Sequence, residues 1–190
     1  AERDGFVMGE GAGIMLLEEW DMAVERGATI LAEILGGAST ADAHHITAPS
    51  PDGVGAITCM RLALEEAGVE PDQVRHINAH GTSTPLNDMA EALAMAEVFG
   101  TDGPLVTSTK GITGHALGAA GAIEAVAVVL AIRKGLVPPP AVYAPADPDM
   151  PPLNLVPGSP APAEPVSPLS HASGFGLHTV TPVTPPPLAA

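Results

Sequence analysis

Two short polar segments, each following an apolar strand, contain the side chains best suited to chemistry. One reads Asn78-Ala-His-Gly-Thr-Ser-Thr-Pro85 and the other reads Ser108-Thr-Lys-Gly-Ile-Thr-Gly-His115. In open α/β sheets, ligands bind outside the carboxyl ends of such strands. A single histidine at this place is more often a satisfied hydrogen-bonding residue than a catalytic one. Two histidines and a lysine on equivalent turns, His80, His115 and Lys110, instead favour catalysis or ligand binding at this edge.

Acidic side chains near these turns form a candidate supporting network. Glu124 stands inside an otherwise apolar helical stretch, so its carboxylate must be paired or bound to an ion to be tolerated. Lys110 is a candidate partner. Asp88 and Glu91, three residues apart on one helix face, are candidates for the same network. The alternative is a solvated helix start favoured by the helix dipole, an interpretation that suits Asp88 better than Glu91.

The order of apolar runs and turn residues predicts the elements that position these side chains. Strands are predicted at residues 10–17, 30–35, 74–79 and 105–109, and helices at residues 18–26, 53–68, 87–99 and 116–134. The predicted core-facing residues are Ile57, Met60, Leu62, Leu64 and Ala67 in the second helix and Met89, Leu93, Ala96 and Phe99 in the third. Strands that alternate with helices at this spacing predict an α/β layered fold around a buried sheet.

Composition excludes several classes of function. The chain has 190 residues, of which 46% are hydrophobic and 15% charged, enough for one domain with a core. The net charge of −15 argues against a nucleic-acid binder, which needs a basic surface. The 116–134 helix is near the lower length limit for a membrane span, but Glu124 interrupts it, so a buried helix fits better. No secretory signal is visible and Cys59 is the only cysteine, which indicates a cytoplasmic setting.

Three further features favour structural explanations. The glycine-rich stretch at residues 9–13 is not a dinucleotide fingerprint and predicts a close-packed bend. The adjacent pair His44 and His45 lacks the spacing of a helical zinc motif. Cys59 lies in the middle of a predicted helix without a nearby histidine, so it is predicted to be a small core residue.

The last part of the chain has a biased composition. Sixteen of the 21 prolines, and none of the seven Lys and Arg residues, lie in residues 135–190. Proline has no N–H for the ladder of a central strand, so Pro182 and residues 185–187 are not expected inside a sheet. The run that begins at Val180 is therefore predicted to be a damaged or broken final strand.

Two more segments complete a distinctive set with the polar turns. They are Asp4-Gly-Phe-Val-Met-Gly-Glu-Gly-Ala-Gly13 and Gly118-Ala-Ala-Gly-Ala-Ile-Glu124. Together the four segments resemble the beta-ketoacyl-acyl-carrier-protein synthases, above all the type II elongating enzyme of fatty acid synthesis. The similarity covers roughly residues 1–169. It implies a thiolase-like fold of α-β-α-β-α layers, incomplete in this chain, and a homodimer.

The resemblance also implies a division of the chain. Residues 1–40 would end the first thiolase-like half, and residues 41–178 would form the second half with both histidines. Residues 179–190 would be a Pro-rich divergent tail.

The activity implied by the resemblance is a decarboxylative Claisen condensation of an acyl thioester with malonyl-acyl carrier protein in fatty acid elongation. His80 and His115 would donate hydrogen bonds to the malonyl thioester oxygen, and Lys110 would hold the catalytic network in place. The other implied roles are a supporting network of Asp88, Glu91 and Glu124, a monovalent-cation site at Asn78 and Glu124, pantetheine contacts from Thr82 and Thr84, and an acyl gate at Phe175. No other cofactor is implied. The partner is an acyl carrier protein whose phosphopantetheine arm holds the acyl and malonyl groups.

The chain departs from the family pattern in two places. The family's nucleophilic cysteine belongs to the first half and is expected upstream of these residues, since Cys59 does not match it. The 190 residues alone are therefore expected to be inactive in condensation. The family ending Asn-Ser-Phe-Gly-Phe-Gly-Gly reads His171-Ala-Ser-Gly-Phe-Gly-Leu177 here, with Leu177 in place of a glycine.

The sequence leaves three other functions open. One is a non-catalytic subunit similar to a chain-length factor, against which intact His80, Lys110 and His115 argue. Another is a ketosynthase subunit of a polyketide synthase. The third is a metal-dependent hydrolase that uses His80, His115 and Asp88, an interpretation that depends on residue types alone.

Overall fold

The computed structural model describes residues 2–141, 147–162 and 168–184. Its α-helices are α1 (Trp20–Glu25), α2 (Val54–Ala67), α3 (Pro85–Phe99), α4 (Lys110–Thr113) and α5 (Ala120–Lys134). Its strands are β1 (Glu33–Ile34), β2 (Ala38–Ala41), β3 (His76–Asn78), β4 (Leu105–Thr107), β5 (Leu136–Val137), β6 (Ala161–Pro162), β7 (Pro168–Gly174) and β8 (Leu177–Thr184). Short 3-10 turns lie at Pro71–Gln73 and Leu117–Ala119.

Six of these strands form the main sheet, in the order β1-β8-β7-β3-β4 with β2 also paired to β8. β3 runs parallel to both β4 and β7, whereas β8 runs antiparallel to β7, β1 and β2. The carboxyl ends of β3, β4 and β7 therefore lie at one edge of the sheet. The two polar turns follow β3 and β4, so they emerge side by side at this edge, where α/β sheets bind ligands.

Helices cover both faces of the sheet. α2 and α3 pack on one face, where Met60, Ile77 and Leu169 are fully buried. α5 packs on the other face, and Gly121 of this helix approaches the side chain of Ala172 in β7. Successive side chains of a strand point to opposite faces, so Leu169 faces α2 and α3 while Ala172 faces α5. Within the described residues, no helix is long and apolar enough to cross a lipid bilayer.

The helices predicted at residues 53–68, 87–99 and 116–134 are confirmed as α2, α3 and α5, but two predicted core faces are partly wrong. In α2, Leu62 is exposed. In α3 the predicted residues Met89, Leu93, Ala96 and Phe99 are only half-buried. The buried positions of α3 are Ala90, Glu91, Ala92, Ala94 and Met95. Small alanine side chains allow this face of α3 to lie close to its neighbours, which leaves the larger side chains at the margin.

Residues 10–17 do not form the predicted buried strand. They are neither helix nor strand, and Ile14 and Leu16 are 93% and 85% exposed. A strand needs a partner for its N–H and C=O groups, and no strand among the described residues pairs with these residues. The strand predicted at residues 30–35 is reduced to the two residues of β1.

The glycine-rich stretch at residues 9–13 is close-packed, as predicted. The N–H of Gly9 donates to the carbonyl oxygen of His115 (3.1 Å), and the N–H of His115 donates to that of Val7 (2.8 Å). A Cβ atom on Gly9 would lie 2.2 Å from the carbonyl oxygen of Thr113. Glycine therefore allows this segment to lie directly against the backbone beside His115.

Pro182 lies inside β8, so the prediction of a broken final strand is wrong for the described residues. It pairs with Leu169 of β7, and on its other side its carbonyl oxygen accepts the N–H of Leu35 (3.1 Å). The N–H and C=O groups of a strand residue point to the same side, so the missing N–H is on the side of β1 and β2. The neighbouring strand is interrupted there at Gly36 and Gly37, and the proline costs the sheet little. Residues 185–187 lie outside the described residues.

We expect Gly9→Ala to weaken the pairing that positions His115. The new Cβ would overlap the Thr113 carbonyl, and relieving such an overlap costs about 1–3 kcal/mol. The His115 amide should then exchange with solvent about tenfold to a hundredfold faster in hydrogen-exchange NMR, since about 1.4 kcal/mol is tenfold. Gly118→Ala is the control, because a Cβ there meets no atom within 4 Å. Equal protection of His115 in the two variants would contradict this expectation.

Candidate active site

The turn after β3 holds His80 against α3. The buried carboxylate of Glu91 accepts hydrogen bonds from the N–H of His80 (2.7 Å) and the N–H of Gly81 (2.8 Å). Gly81 has a φ of +44°, and a Cβ atom there would lie 2.7 Å from the Cβ atom of Ser108. Glycine alone suits this backbone conformation and this close approach. The His80 turn is thus held by a carboxylate on one side and by the neighbouring turn on the other.

The turn after β4 carries Lys110 and is joined to the first turn through Ser108. The hydroxyl of Ser108 donates to the carbonyl oxygen of Gly81 (3.1 Å). Lys110 begins the single turn of α4, and its side chain is buried. Its ammonium group forms an ion pair with Glu124 of α5. The structure therefore selects Glu124, and not Glu91, as the partner of Lys110.

His115 is positioned by the residues near the start of the chain and by its own turn. Its backbone pairs with Val7 and Gly9, and the ring of Phe6 meets its ring edge-on with centroids 4.8 Å apart. The N–H of Leu117 donates to Nδ1 of His115 (3.2 Å). Because Nδ1 is an acceptor, a neutral His115 carries its proton on Nε2, where it can be donated to a ligand.

The two histidines lie side by side at the sheet edge. The ring centroids of His80 and His115 are 5.2 Å apart, and the ring planes are at 84°. Burial, and then the positive charge of Lys110, lower the pKa of His80 from 6.5 to about 3. The same two causes lower the pKa of His115. Both rings are therefore neutral at pH 7, and each can donate one N–H to an oxygen that gains negative charge.

Glu124 has one carboxylate oxygen without a partner. Its Oε1 binds Lys110, whereas its Oε2 is buried and accepts no hydrogen bond from the residues that the structure describes. Burial raises the pKa of Glu124, and the charge of Lys110 opposes that rise. Asn78 is also buried at the end of β3, with its Nδ2 unpartnered. The free oxygen of Glu124 suits a monovalent cation, to which Asn78 would have to offer its amide oxygen.

Glu91 has a third donor besides the two backbone N–H groups. Its Oε1 lies 2.6 Å from Nδ1 of His171 in β7. Burial works to raise the pKa of Glu91, but the hydrogen bond and charge of His171, with smaller contributions from His80 and Gly81, lower it to about 2. Glu91 is therefore ionised under the His80 turn.

Asp88 lies at the margin of this network. Its carboxylate contacts the guanidinium of Arg3 (3.3 Å), which also pairs with Asp147 (2.7 Å). The side-chain amide of Asn87 is the link to Glu91, at 3.3 Å from Asp88 and 3.5 Å from Glu91. Burial is the largest influence on the pKa of Asp88 and raises it.

The remaining predicted ligand contacts lie in two different places. Thr82 and Thr84 follow His80 in its turn, and their hydroxyl oxygens are 2.8 Å apart. Phe175 lies at the tip of the hairpin between β7 and β8, and its side chain is 75% exposed. Phe175 and Gly176 have φ values of +53° and +70°, as a two-residue turn of type I′ requires.

Cys59 and the pair His44 and His45 lie outside the site. The thiol of Cys59 is buried and donates to the carbonyl oxygen of Ala38 (3.2 Å), so Cys59 is a core residue, as predicted. Burial raises the pKa of this thiol. Both histidines are exposed, and Nδ1 of His45 accepts the N–H of Thr47 (3.2 Å). Among the described residues, no group of three or more His, Cys, Asp and Glu side chains is arranged to hold a metal ion.

The sequence does not predict three residues that connect to Glu91, one directly and two through it: His171, His178 and Asp42. His171 stands out in the sequence only as a departure from the family ending, and Asp42 and His178 are not singled out at all. Both histidines occupy core-facing positions of adjacent antiparallel strands, β7 and β8. Their alternation with apolar neighbours is the signal that could have found them. The pairing that brings them together depends on a register that the sequence does not reveal.

Comparison with known proteins identifies the family. Residues 31–143 match the C-terminal domain of the beta-ketoacyl synthases, which is more than half of the chain. The chain therefore belongs to the beta-ketoacyl synthase family. It is similar to 3-oxoacyl-[acyl-carrier-protein] synthase 2 of Synechocystis sp. (49% identity over 182 residues) and to the chloroplastic 3-oxoacyl-[acyl-carrier-protein] synthase II of Arabidopsis thaliana (58% over 138 residues). The alignments cover 95% and 72% of this chain but 44% and 26% of those relatives, so the chain spans less than half of their length.

Solved structures of ketosynthases share the fold. The ishigamide ketosynthase/chain length factor has a TM-score of 0.92 and 40% identity over 97% of this chain and 45% of that chain. A type II polyketide ketosynthase, solved with its acyl-carrier protein and bound to a hexaketide, has a TM-score of 0.92 and 41% identity over 97% of this chain and 46% of that chain. The predicted α/β, thiolase-like layered fold is therefore confirmed, as an incomplete domain.

We expect the free energy of unfolding to fall as the pH drops below 6.5. His76 and His80 are buried, and burial lowers their pKa values to about 4 and about 3. Because the pKa of each histidine is lowered in the folded state, its contribution to the free energy of unfolding is fully present above pH 6.5. The contribution is lost as the pH falls, since protons then bind the unfolded chain and not the folded one. Each histidine adds a slope that approaches ~1.4 kcal/mol per pH unit.

Urea denaturation between pH 7 and pH 4 measures this slope. In His80→Asn the slope should fall by the share of one histidine, whereas exposed His44→Asn should leave it unchanged. Equal slopes in His80→Asn and the unmodified protein would rule out a neutral buried His80.

We expect Lys110→Met to destabilise the fold strongly. The variant leaves the carboxylate of Glu124 buried without its cation, and breaking a buried pair in this way costs about 3–5 kcal/mol. The double variant Lys110→Met/Glu124→Leu removes both charges and should recover most of the loss in urea denaturation. If the single and double variants are equally unstable, the ion pair is not the cause.

Proposed function

We propose that this chain is the C-terminal catalytic part of a condensing enzyme that elongates acyl chains by decarboxylative Claisen condensation. The observation that carries the proposal is the pair of neutral histidines, His80 and His115. Their ring centroids are 5.2 Å apart, and a buried lysine lies beside them. The names of its relatives, which are 3-oxoacyl-acyl-carrier-protein synthases, support the same reaction. The substrates would be an acyl thioester and malonyl on an acyl carrier protein.

The two imidazoles serve the decarboxylation step. The bond between the malonyl carboxylate and its neighbouring carbon breaks, carbon dioxide leaves, and the electron pair moves onto the thioester oxygen. The N–H groups of His80 and His115 stabilise this enolate oxygen, since fixed donors act most strongly where charge develops. The enolate carbon then attacks the acyl thioester, and the sulfur leaves as a thiolate. The cysteine that carries the acyl group would lie outside the present residues.

Lys110 and Glu124 set the electrostatics of this step. Burial, and then the charge of the buried ammonium, lower the pKa of both histidines, which keeps them neutral at pH 7. The positive charge of the ammonium also favours an enolate nearby. Glu124 balances the ammonium when the site is empty, and its free oxygen is the one the proposed monovalent cation would bind.

The remaining roles are proposals for side chains near this edge. Thr82 and Thr84 follow His80 in its turn, and we expect them to contact the pantetheine arm. A related ketosynthase solved with its acyl-carrier protein supports such a partner. Phe175, on the tip of its hairpin, is free to act as an acyl gate. We place residues 1–40 and residues 41–178 in the two thiolase-like halves, and residues 179–190 in a divergent tail whose first residues belong to β8.

The structure also supports proposals about the subunit contacts and the compartment of the enzyme. Exposed apolar side chains such as Ile14 and Leu16 support burial against further residues or a second subunit, in keeping with a homodimer. The free thiol of Cys59 suits a reducing compartment such as the cytoplasm.

A ketosynthase of a polyketide pathway is the second candidate. The TM-score of 0.92 to a type II polyketide ketosynthase favours it. The chemistry of the two pathways is the same, and the difference lies in the acyl chain. A non-catalytic chain-length factor is less well supported, because His80, Lys110 and His115 are all present and lie together.

A chimera tests the proposal. The matched stretch of the Synechocystis relative is replaced by the present chain, and the purified protein is given acyl- and malonyl-acyl carrier protein. We expect a 3-oxoacyl product from the chimera and none from the 190 residues alone. His80→Ala and His115→Ala should each lower the rate about 10²–10³-fold, the usual loss for one oxyanion donor.

His44→Ala is the matched control in the chimera, since His44 is exposed and outside the site. A folded chimera without product, or a His80→Ala chimera with the full rate, would refute the proposed function. Trials with acyl chains of fatty acid and polyketide type distinguish the two candidate pathways.

A further inference from the structure

Four buried ionisable side chains form a row behind the His80 turn. Oδ1 of Asp42 lies 3.1 Å from Nε2 of His178, and Nδ1 of His171 lies 2.6 Å from Oε1 of Glu91. The rings of the two histidines stack between them, with centroids 5.7 Å apart and planes at 15°. All four side chains are at most 5% exposed. The row runs from Asp42, the residue after β2, to the carboxylate that holds the His80 turn.

The length of β7 brings the row to the active-site edge. Ser170 of β7 pairs with Asn78, the last residue of β3, so His171 lies one residue beyond the end of β3. His171 shares the strand face of Leu169, which α3 covers, and its ring therefore meets Glu91. In the antiparallel pair, His178 is the diagonal neighbour of His171 on the same face.

The far end of the row is anchored independently. The second carboxylate oxygen of Asp42 accepts the N–H of Ser50 (2.8 Å), and the N–H of Asp42 donates to the carbonyl oxygen of Gly176 (2.7 Å). Gly55 leaves room for this carboxylate, since a Cβ atom there would lie 1.8 Å from Oδ1 of Asp42. Asp42 is thus a fixed acceptor for His178.

We propose that His171 is a positioning residue of the active-site turn: its Nδ1–H holds Glu91, and Glu91 in turn holds the backbone N–H groups of His80 and Gly81. His178 and Asp42 support the ring of His171 from behind. The inference rests on the proposed function only in treating the His80 turn as catalytic, because the coupling itself is a matter of geometry.

The charges around the row explain why His171 matters. Glu91 is buried, and burial by itself raises the pKa of a carboxylate, which the hydrogen-bond donors around Glu91 oppose, His171 most strongly. The groups that face His171 are Glu91 from α3 and His178 from β8, with Asp42 behind His178 and with His80 and the Lys110–Glu124 pair nearby. Burial, and then the charge of His171, lower the pKa of His178. The net effect keeps the negative charge on Glu91.

A side chain that only filled space would behave differently. An apolar residue of similar size would then serve as well as His171, because nothing would depend on its N–H. The family ending has asparagine at this place, and an asparagine amide also donates a hydrogen bond. The comparison of leucine and asparagine at position 171 therefore separates positioning from packing.

NMR of the full 190-residue chain tests the proposal between pH 3.5 and pH 8. The side-chain carboxyl carbon of Glu91 reports its protonation, and the amide resonances of His80 and Gly81 report the turn. In the unmodified protein we expect no protonation of Glu91 in this range, since its pKa is about 2. In His171→Leu the pKa of Glu91 should rise into this range, and both amides should shift as Glu91 titrates.

His171→Asn should restore the low pKa of Glu91 and the amide shifts of the unmodified protein, and His44→Asn is the exposed control. The proposal would be overturned by an unchanged pKa of Glu91 in His171→Leu. It would also be overturned if the amide shifts of His80 and Gly81 did not change when Glu91 is protonated. Should His171→Leu fail to fold, the ring ¹⁵N shifts of the unmodified protein decide. An Nδ1 without a proton on His171 would overturn the proposal, and an Nδ1 that carries a proton would support it. None of these readouts depends on turnover, so they stand apart from the chimera assay.

Discussion

The buried carboxylate of Glu91 is the interaction on which the active-site edge depends. It accepts hydrogen bonds from two consecutive backbone N–H groups and from His171, so it joins α3, the His80 turn and β7 at one point. Burying a carboxylate is very costly unless the charge is paired and hydrogen-bonded. All three elements must therefore be in place for the charge to be tolerated, and the charge makes the geometry of the turn specific.

The second buried carboxylate, Glu124, has a different task. It neutralises Lys110, whose ammonium stands close enough to both imidazoles to lower their pKa values. The separation of roles is physically simple. One carboxylate meets backbone donors and fixes position, whereas the other meets a cation and fixes charge. The histidines are left neutral, each with a single N–H to offer.

Much of this site could be predicted from the sequence, because its parts are local. The polar turns after β3 and β4 and the isolated Glu124 all depend on short stretches of chain. Two predictions that depended on distant partners were wrong. Residues 10–17 have the pattern of a buried strand but find no partner among the described residues, and Pro182 lies in a strand because the strand beside it is interrupted at Gly36 and Gly37.

The sequence by itself determined the residue types of the site, their order on successive turns and the α/β class, since periodicity and turn chemistry are properties of neighbouring residues. Only the tertiary structure decided which carboxylate serves which cation and which histidines meet. Lys110 pairs with Glu124 and Glu91 pairs with His171, a choice made by the parallel register of β3 with β7 and by the face of α3 that turns inward. Register and facing are set by packing between segments far apart in the chain, and a one-residue slip would move every side chain to the other face.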